Sequence, residues 1–228
     1  MPVVDLAVSS RRELNEQLHR LGAITNETLW RVENPDGRHA LAVGIDAPVT
    51  IEIAGHAGYY CAGMNAQATV IVEGSVGVGV AENMMSGKVH VHGDASQSAG
   101  ATAHGGLLII EGDASARCGI SMKGVDIVVK GSIGPMSAFM AQSGNLVVLG
   151  DAGDALGDSI YEARLFVRGT VKSLGADCVE KELREEHVAE LRRLLDSADL
   201  PDVQPGEFKR YGSARTLYTF HVDNAAAY

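Results

Sequence analysis

The chain has 228 residues, 46% of them hydrophobic and only 5% aromatic, with a formal net charge of −10. That length allows one large domain with a sizeable core, and the acidity argues against a nucleic-acid or anionic-membrane surface. No charged-then-apolar leader opens the chain, and no apolar run approaches the ~18 residues of a membrane span. Cys61, Cys118 and Cys178 are odd in number and widely spaced, so neither a disulfide framework nor a zinc site follows, and reduced thiols in the cytoplasm are expected.

Residues 1–50 read as an arm, a short helix and lead-in strands. Pro2 to Val8 is an extended arm. Ser10-Arg11-Arg12-Glu13 is a capping box, and Leu14, Leu18 and Leu21 follow at helical spacing before Gly22 stops the helix. Ala23 to Val32 holds the single tryptophan, Trp30, and Asn34-Pro35-Asp36-Gly37 is a turn. His39 to Val43 and Pro48 to Ile53 are expected strands.

Residues 51–182 are organised by a glycine that returns every 19 residues: Gly55, Gly74, Gly93, Gly112, Gly131, Gly150 and Gly169. Four residues before each stand Ile51, Val70, Val89, Leu108, Ile127, Leu146 and Leu165. Two before stand Ile53, Val72, Val91, Ile110, Val129, Val148 and Val167. Positions i−4 and i−2 share one strand face, and that face is wholly aliphatic. Two residues after each glycine stand Ala57, Val76, Ala95, Ala114, Ile133, Ala152 and Val171. Such a unit cannot bury its apolar face alone but can when stacked on copies of itself. The expected fold is therefore all-β: a right-handed parallel β-helix of about seven coils, with right-handed crossovers by default. The glycines would form a corner column needing positive φ or close approach between coils. An open solenoid end needs a cover, and the N-terminal segment is the expected cap.

Residues 183–228 read as a C-terminal helix and an extended, aromatic-rich tail. The helical pattern runs from Lys181 to Ser197, with Leu183, Val188, Leu191, Leu194 and Leu195 on one face, until Pro201 and Pro205 end it. The tail carries Phe208, Tyr211, Tyr218, Phe220 and Tyr228. These aromatics either fold back on the rod or meet another chain, and they are the candidate partner contacts.

The residues that could carry chemistry are few. Gly77-Val78-Gly79 begins like a dinucleotide fingerprint, but Glu82 stands where the third glycine belongs and no βαβ unit surrounds it. His90 and His92 share an outward strand face and could hold a metal, although no third ligand accompanies them, and a surface pair is the simpler reading. Asp94, Asp113 and Asp151 stack in one column. Paired acids would suit a carbohydrate-cleaving β-helix enzyme, whereas coil stacking alone would yield a solvated ladder. A hexapeptide acyltransferase is argued against, since 19 is not a multiple of six and no six-residue sub-period appears. Glu73, His92, Glu111 and Lys130 follow one another in successive coils, so His92 is expected between two carboxylates about 5 Å away, which would raise its pKa. No catalytic, cofactor-binding or metal residue is assigned within the chain.

The 19-residue glycine repeat, with runs such as Gly74-Ser75-Val76-Gly77-Val78-Gly79, resembles the GXGXG domain. That domain forms the C-terminal β-helix of the glutamate synthase large subunit and occurs in formylmethanofuran dehydrogenase. The tail runs Arg210-Tyr211-Gly212-Ser213-Ala214-Arg215 and Phe220-His221-Val222-Asp223-Asn224 resemble its stand-alone version, the small subunit of N-methylglutamate synthase. The resemblance implies a non-catalytic structural subunit in a hetero-oligomer. Its implied partners are a class II glutamine amidotransferase-like subunit and an FMN-binding glutamate-synthase-like subunit. FMN and an iron–sulfur cluster would reside in a partner, none in this chain. The complex would convert glutamate and methylamine to N-methylglutamate.

Overall fold

The computed structural model describes residues 1–26 and 28–216. Nine strands stack in parallel in chain order: β1 (Val3–Asp5), β2 (Leu29–Glu33), β3 (Thr50–Ile53), β4 (Thr69–Val72), β5 (Lys88–Val91), β6 (Leu107–Ile110), β7 (Lys123–Val129), β8 (Ser143–Val148) and β9 (Arg164–Val167). From β3 onward, Ile51 lies opposite Val70, then Val89, Leu108, Ile127, Leu146 and Leu165. All fourteen aliphatic residues at i−4 and i−2 are at most 1% exposed, so the interior of the rod is one continuous column of Val, Ile and Leu. A second parallel column of single bridges joins Ala57, Val76, Ala95, Ala114, Ile133, Ala152 and Val171. The fold is the expected parallel β-solenoid of stacked coils.

The corner glycines are required by close approach, and left-handed backbone is found at only one of them, Gly55, with φ of 143°. A Cβ on Gly112 would lie 2.1 Å from Asp94 Oδ1, and one on Gly131 2.2 Å from Asp113 Oδ1. The left-handed conformations occur elsewhere in the coil. Residues five, seven and nine positions after each of the first six corners carry them: Tyr60, Ala62 and Met64; Gly79, Ala81 and Asn83; Ser98, Gly100 and Thr102, and so on to Ala155, Gly157 and Ser159. Their N–H groups bond alternately to the next coil and the previous one, as Tyr60 N to Val78 O (2.8 Å) and Ala62 N to Leu41 O (2.9 Å). Cross-coil hydrogen bonds offset the local cost of φ > 0 at residues such as Ala and Met. This zigzag also occupies Ala40, Ala42 and Gly44, so His39 to Val43 is an arch and not the expected strand.

Both ends of the rod are covered. Helix α1 (Arg11–His19) has the expected capping box at Ser10 and Glu13, and Leu14 and Leu18 are buried in the core of the rod. Asn15 Nδ2 donates to Ala40 O at 2.8 Å, and His19 contacts Val43 O at 2.6 Å, which ties the helix to the first arch. The stack begins before Ile51, because β1 and β2 extend it. At the other end, β10 (Cys178–Lys181) and β11 (Lys209–Ser213) turn the sheet antiparallel, with β11 lying between β9 and β10. Helix α2 (Glu185–Ser197) then folds back onto the outward face of the sheet. Burial pushes the thiols of Cys61, Cys118 and Cys178 up to about 12, and all three are free. Among the described residues no helix is long and apolar enough to cross a membrane.

Candidate functional site

The position after each corner glycine is polar for a structural reason. Its side chain accepts the backbone N–H of the equivalent residue one coil later. Ser75 N donates to His56 Nδ1 (2.9 Å), Asp94 N to Ser75 Oγ (3.1 Å), Asp113 N to Asp94 Oδ1 (2.8 Å), Ser132 N to Asp113 Oδ1 (2.7 Å), Asp151 N to Ser132 Oγ (3.0 Å) and Thr170 N to Asp151 Oδ1 (2.7 Å). The acceptor oxygen sits where a Cβ on the next corner glycine would be, so glycine and acceptor require each other. Asp94, Asp113 and Asp151 are thus rungs of a hydrogen-bonded ladder, as stacking alone implies. The backbone N–H and then the hydroxyl of Thr170 hold Asp151 below the usual carboxylate range.

Two outward regions of the sheet carry charge. The first spans β2 to β7, where Arg31 reaches Glu73 at 3.0 Å and Glu52 at 3.3 Å, and Lys130 reaches Glu111 at 2.8 Å. His90 Nε2 lies 2.6 Å from Glu111 Oε1. A carboxylate only accepts, so that nitrogen carries the proton. The expected column therefore does not form: Glu73 turns to Arg31, and Glu111 turns to His90 and Lys130, leaving His92 exposed with its ring edge against His90 at 4.6 Å. The long side chains reach diagonally across the pleat, which a residue count along one column does not foresee. Burial, with the charges of His92 and Lys88, holds His90 below its ordinary value despite Glu111. Burial would raise Glu111, but hydrogen bonds from Lys130 and His90 outweigh it and hold the carboxyl low. Among the described residues no three His, Cys, Asp or Glu side chains cluster as metal ligands.

The second region is a cleft of about 490 Å³ at the C-terminal end, between β9, β10, β11 and the first turn of α2. Arg164, Lys181, Arg184, Arg210 and Arg215 line it, against Glu162, Glu182 and Glu186. Arg215 pairs with Glu162 at 2.7 Å and Arg184 with Glu182 at 3.1 Å. Arg210 Nε donates to the Glu182 carbonyl at 2.8 Å. Buried His187 accepts the Arg184 N–H on Nδ1 at 3.1 Å, and burial followed by Arg210 lowers its pKa. The run Arg210 to Arg215, singled out in the sequence for its resemblance, supplies one wall of this cleft. Sequence reasoning missed the cleft because its basic side chains come from β9, from β10 and the start of α2, and from the run from Arg210 to Arg215, stretches that lie far apart in the chain.

Phe208 and Tyr211, candidate partner contacts, are 4% and 5% exposed and are spent on this chain's own core. Phe208 packs with α2 against the sheet, and Tyr211 closes the end of the rod beside β9. The apolar return of the chain onto its own sheet wins because Ile109, Val128, Val147 and Phe166 face outward there and need cover. Tyr218, Phe220 and Tyr228 lie outside the described residues.

Fold and site define a stacked parallel β-solenoid with a hydrogen-bonded polar ladder, capped ends and a basic cleft at the C-terminal end. Protein GlxC of Rhizobium meliloti (strain 1021) is 67% identical to this chain over 228 residues, which is the whole of both. The chain belongs to the GlxC protein family. No family model matches it, and no solved structure matches it.

Proposed function

We propose that this chain is the structural subunit of a glutamate-synthase-like complex, acting in N-methylglutamate synthesis, that joins an amidotransferase subunit to an FMN and iron–sulfur subunit. The observation that carries this reading is the ladder: the stacked Asp and Ser side chains serve coil-to-coil hydrogen bonds, so the column that could have formed an acid pair is occupied with architecture. Whole-length similarity to a GlxC protein supports the same reading, as does the resemblance of the glycine repeat to the β-helix of glutamate synthase. A rod held at each 19-residue step by backbone and side-chain bonds is stiff, which suits a spacer between two active sites. The tail beyond Thr216 is the proposed partner contact, with Tyr218, Phe220 and Tyr228 as aromatic anchors.

Native purification of the tagged chain tests this. The expected result is co-elution of a glutaminase-type and a flavin-containing subunit, with lower recovery after removal of residues 217–228. The cut must fall there: removing Phe208 onward also removes β11 and part of the core. Glutaminase activity or stoichiometric flavin in the isolated chain would overturn the scaffold reading.

A further inference from the structure

The C-terminal cleft holds more positive charge than the rod needs. In a chain of net charge −10, five Arg and Lys side chains converge on three Glu side chains. Ion pairs with two of those glutamates neutralise Arg184 and Arg215. Glu190, which does not line the cleft but feels the charge of Arg164, is bonded to Arg193 at 2.9 Å and Asn145 at 3.0 Å. Among the described residues, no carboxylate lies within ion-pair distance of the Arg164 or Arg210 guanidinium, and both side chains are half-buried. Arginine is favoured where planar, bidentate recognition of carboxylate or phosphate is needed.

We infer that this cleft binds a small dianion, clamped between Arg164 and Arg210, whose two negative charges match the balance left in the cleft once the Arg184 and Arg215 pairs are formed, Arg164, Arg210 and Lys181 against Glu186. The ligand class is a dicarboxylate or a phosphate. A volume of about 490 Å³ is that of a small-molecule site, and its lining is mostly polar. Burial, and then Arg164 and Arg184, hold the Arg210 pKa below its ordinary value against the opposing pull of Glu186 and Glu182, so the cleft keeps like charges together at a cost that a bound anion lowers. The site uses no residue of the ladder or of the proposed partner contact, so it can stand or fall independently of assembly.

The test is thermal melting and titration calorimetry of the full chain with inorganic phosphate and with succinate, at ionic strength held constant with sodium chloride. Saturable stabilisation is expected with both dianions and not with acetate. Arg164→Gln should weaken binding about tenfold or more, and Arg164→Lys, which keeps the charge but loses the fork, should fall between. Arg210→Gln should do the same, although it also removes the bond to the Glu182 carbonyl; Arg164, with no such bond, keeps the test clean. Arg11→Gln, a matched charge loss on α1 at the opposite end, should leave binding unchanged. Stabilisation that never saturates, or that Arg11→Gln and Arg164→Gln share equally, would overturn the proposal. Binding of phosphate without succinate would narrow the ligand to phosphate and support the site; binding of neither would overturn it.

Discussion

The outer face of the sheet is two surfaces built on one scaffold. Toward the N-terminus, Glu52, Ile71 and His90 occupy the outward position of β3, β4 and β5, and the face meets water through ion pairs. Toward the C-terminus the same position holds Ile109, Val128, Val147 and Phe166, all fully buried beneath α2, Phe208 and Leu149. The inner column and the ladder run unchanged through both halves, and the register of the strand cores is the same; the C-terminal half adds only a shift between Lys123 and Asp126 where β7 meets β8. The stacking of a solenoid is therefore indifferent to its outward residues, which decide only what the rod is covered by.

The strongest test attacks what the halves share. Ile110 is fully buried in the inner column, so Ile110→Asp should abolish folding, and Ile110→Ala should cost about 2–4 kcal/mol in a urea titration. Wild-type melting of the aspartate variant would break the premise of a common core. Next comes the contrast itself. Phe166→Ala should cost about 3–5 kcal/mol and loosen α2, while Ile71→Ala, at the equivalent but uncovered position, should cost under about 1 kcal/mol. Equal losses would mean that the two faces do not differ as described.

A smaller effect is expected at the ladder. Gly112→Ala puts a methyl on Asp94 Oδ1 and forces that carboxylate away from Asp113 N, at a cost of about 1–3 kcal/mol. Adding Asp94→Ala should recover part of the loss, because the clash with the carboxylate is then gone while the 3.0 Å contact with the Gly93 carbonyl stays, and a double-mutant cycle reads this coupling directly.

The smallest effect belongs to the charged half. His90 has a folded pKa below the ordinary imidazole value of about 6.5, set by burial, His92 and Lys88 against Glu111. The unfolded chain therefore binds the proton first as pH falls. The His90 contribution to stability is complete above 6.5 and declines as pH drops from there through the folded value. Urea midpoints followed from pH 7 to 5 should show a component that His90→Gln removes, and an NMR titration placing His90 above 6.5 would reverse the sign.

Sequence by itself determined the period, the inward residues, the capping box and the stacked architecture, because a 19-residue repeat imposes the same local requirement at every coil. It also marked the polar column beside the glycines, though not that each acceptor lies where the next glycine's side chain would be. Only the tertiary structure decided three things. It moved positive φ from the corner glycines to residues such as Ala62, Ala81 and Met140, where bonds to neighbouring coils hold it. It turned Glu73 and Glu111 away from His92, because long side chains choose partners diagonally. It also brought Arg164 and Arg210 to one cleft and buried Phe208 and Tyr211, since these residues meet only when the chain after the last coil folds back along the rod. A repeat specifies contacts at a constant separation in sequence, whereas a return of the chain makes contacts at separations that no period encodes.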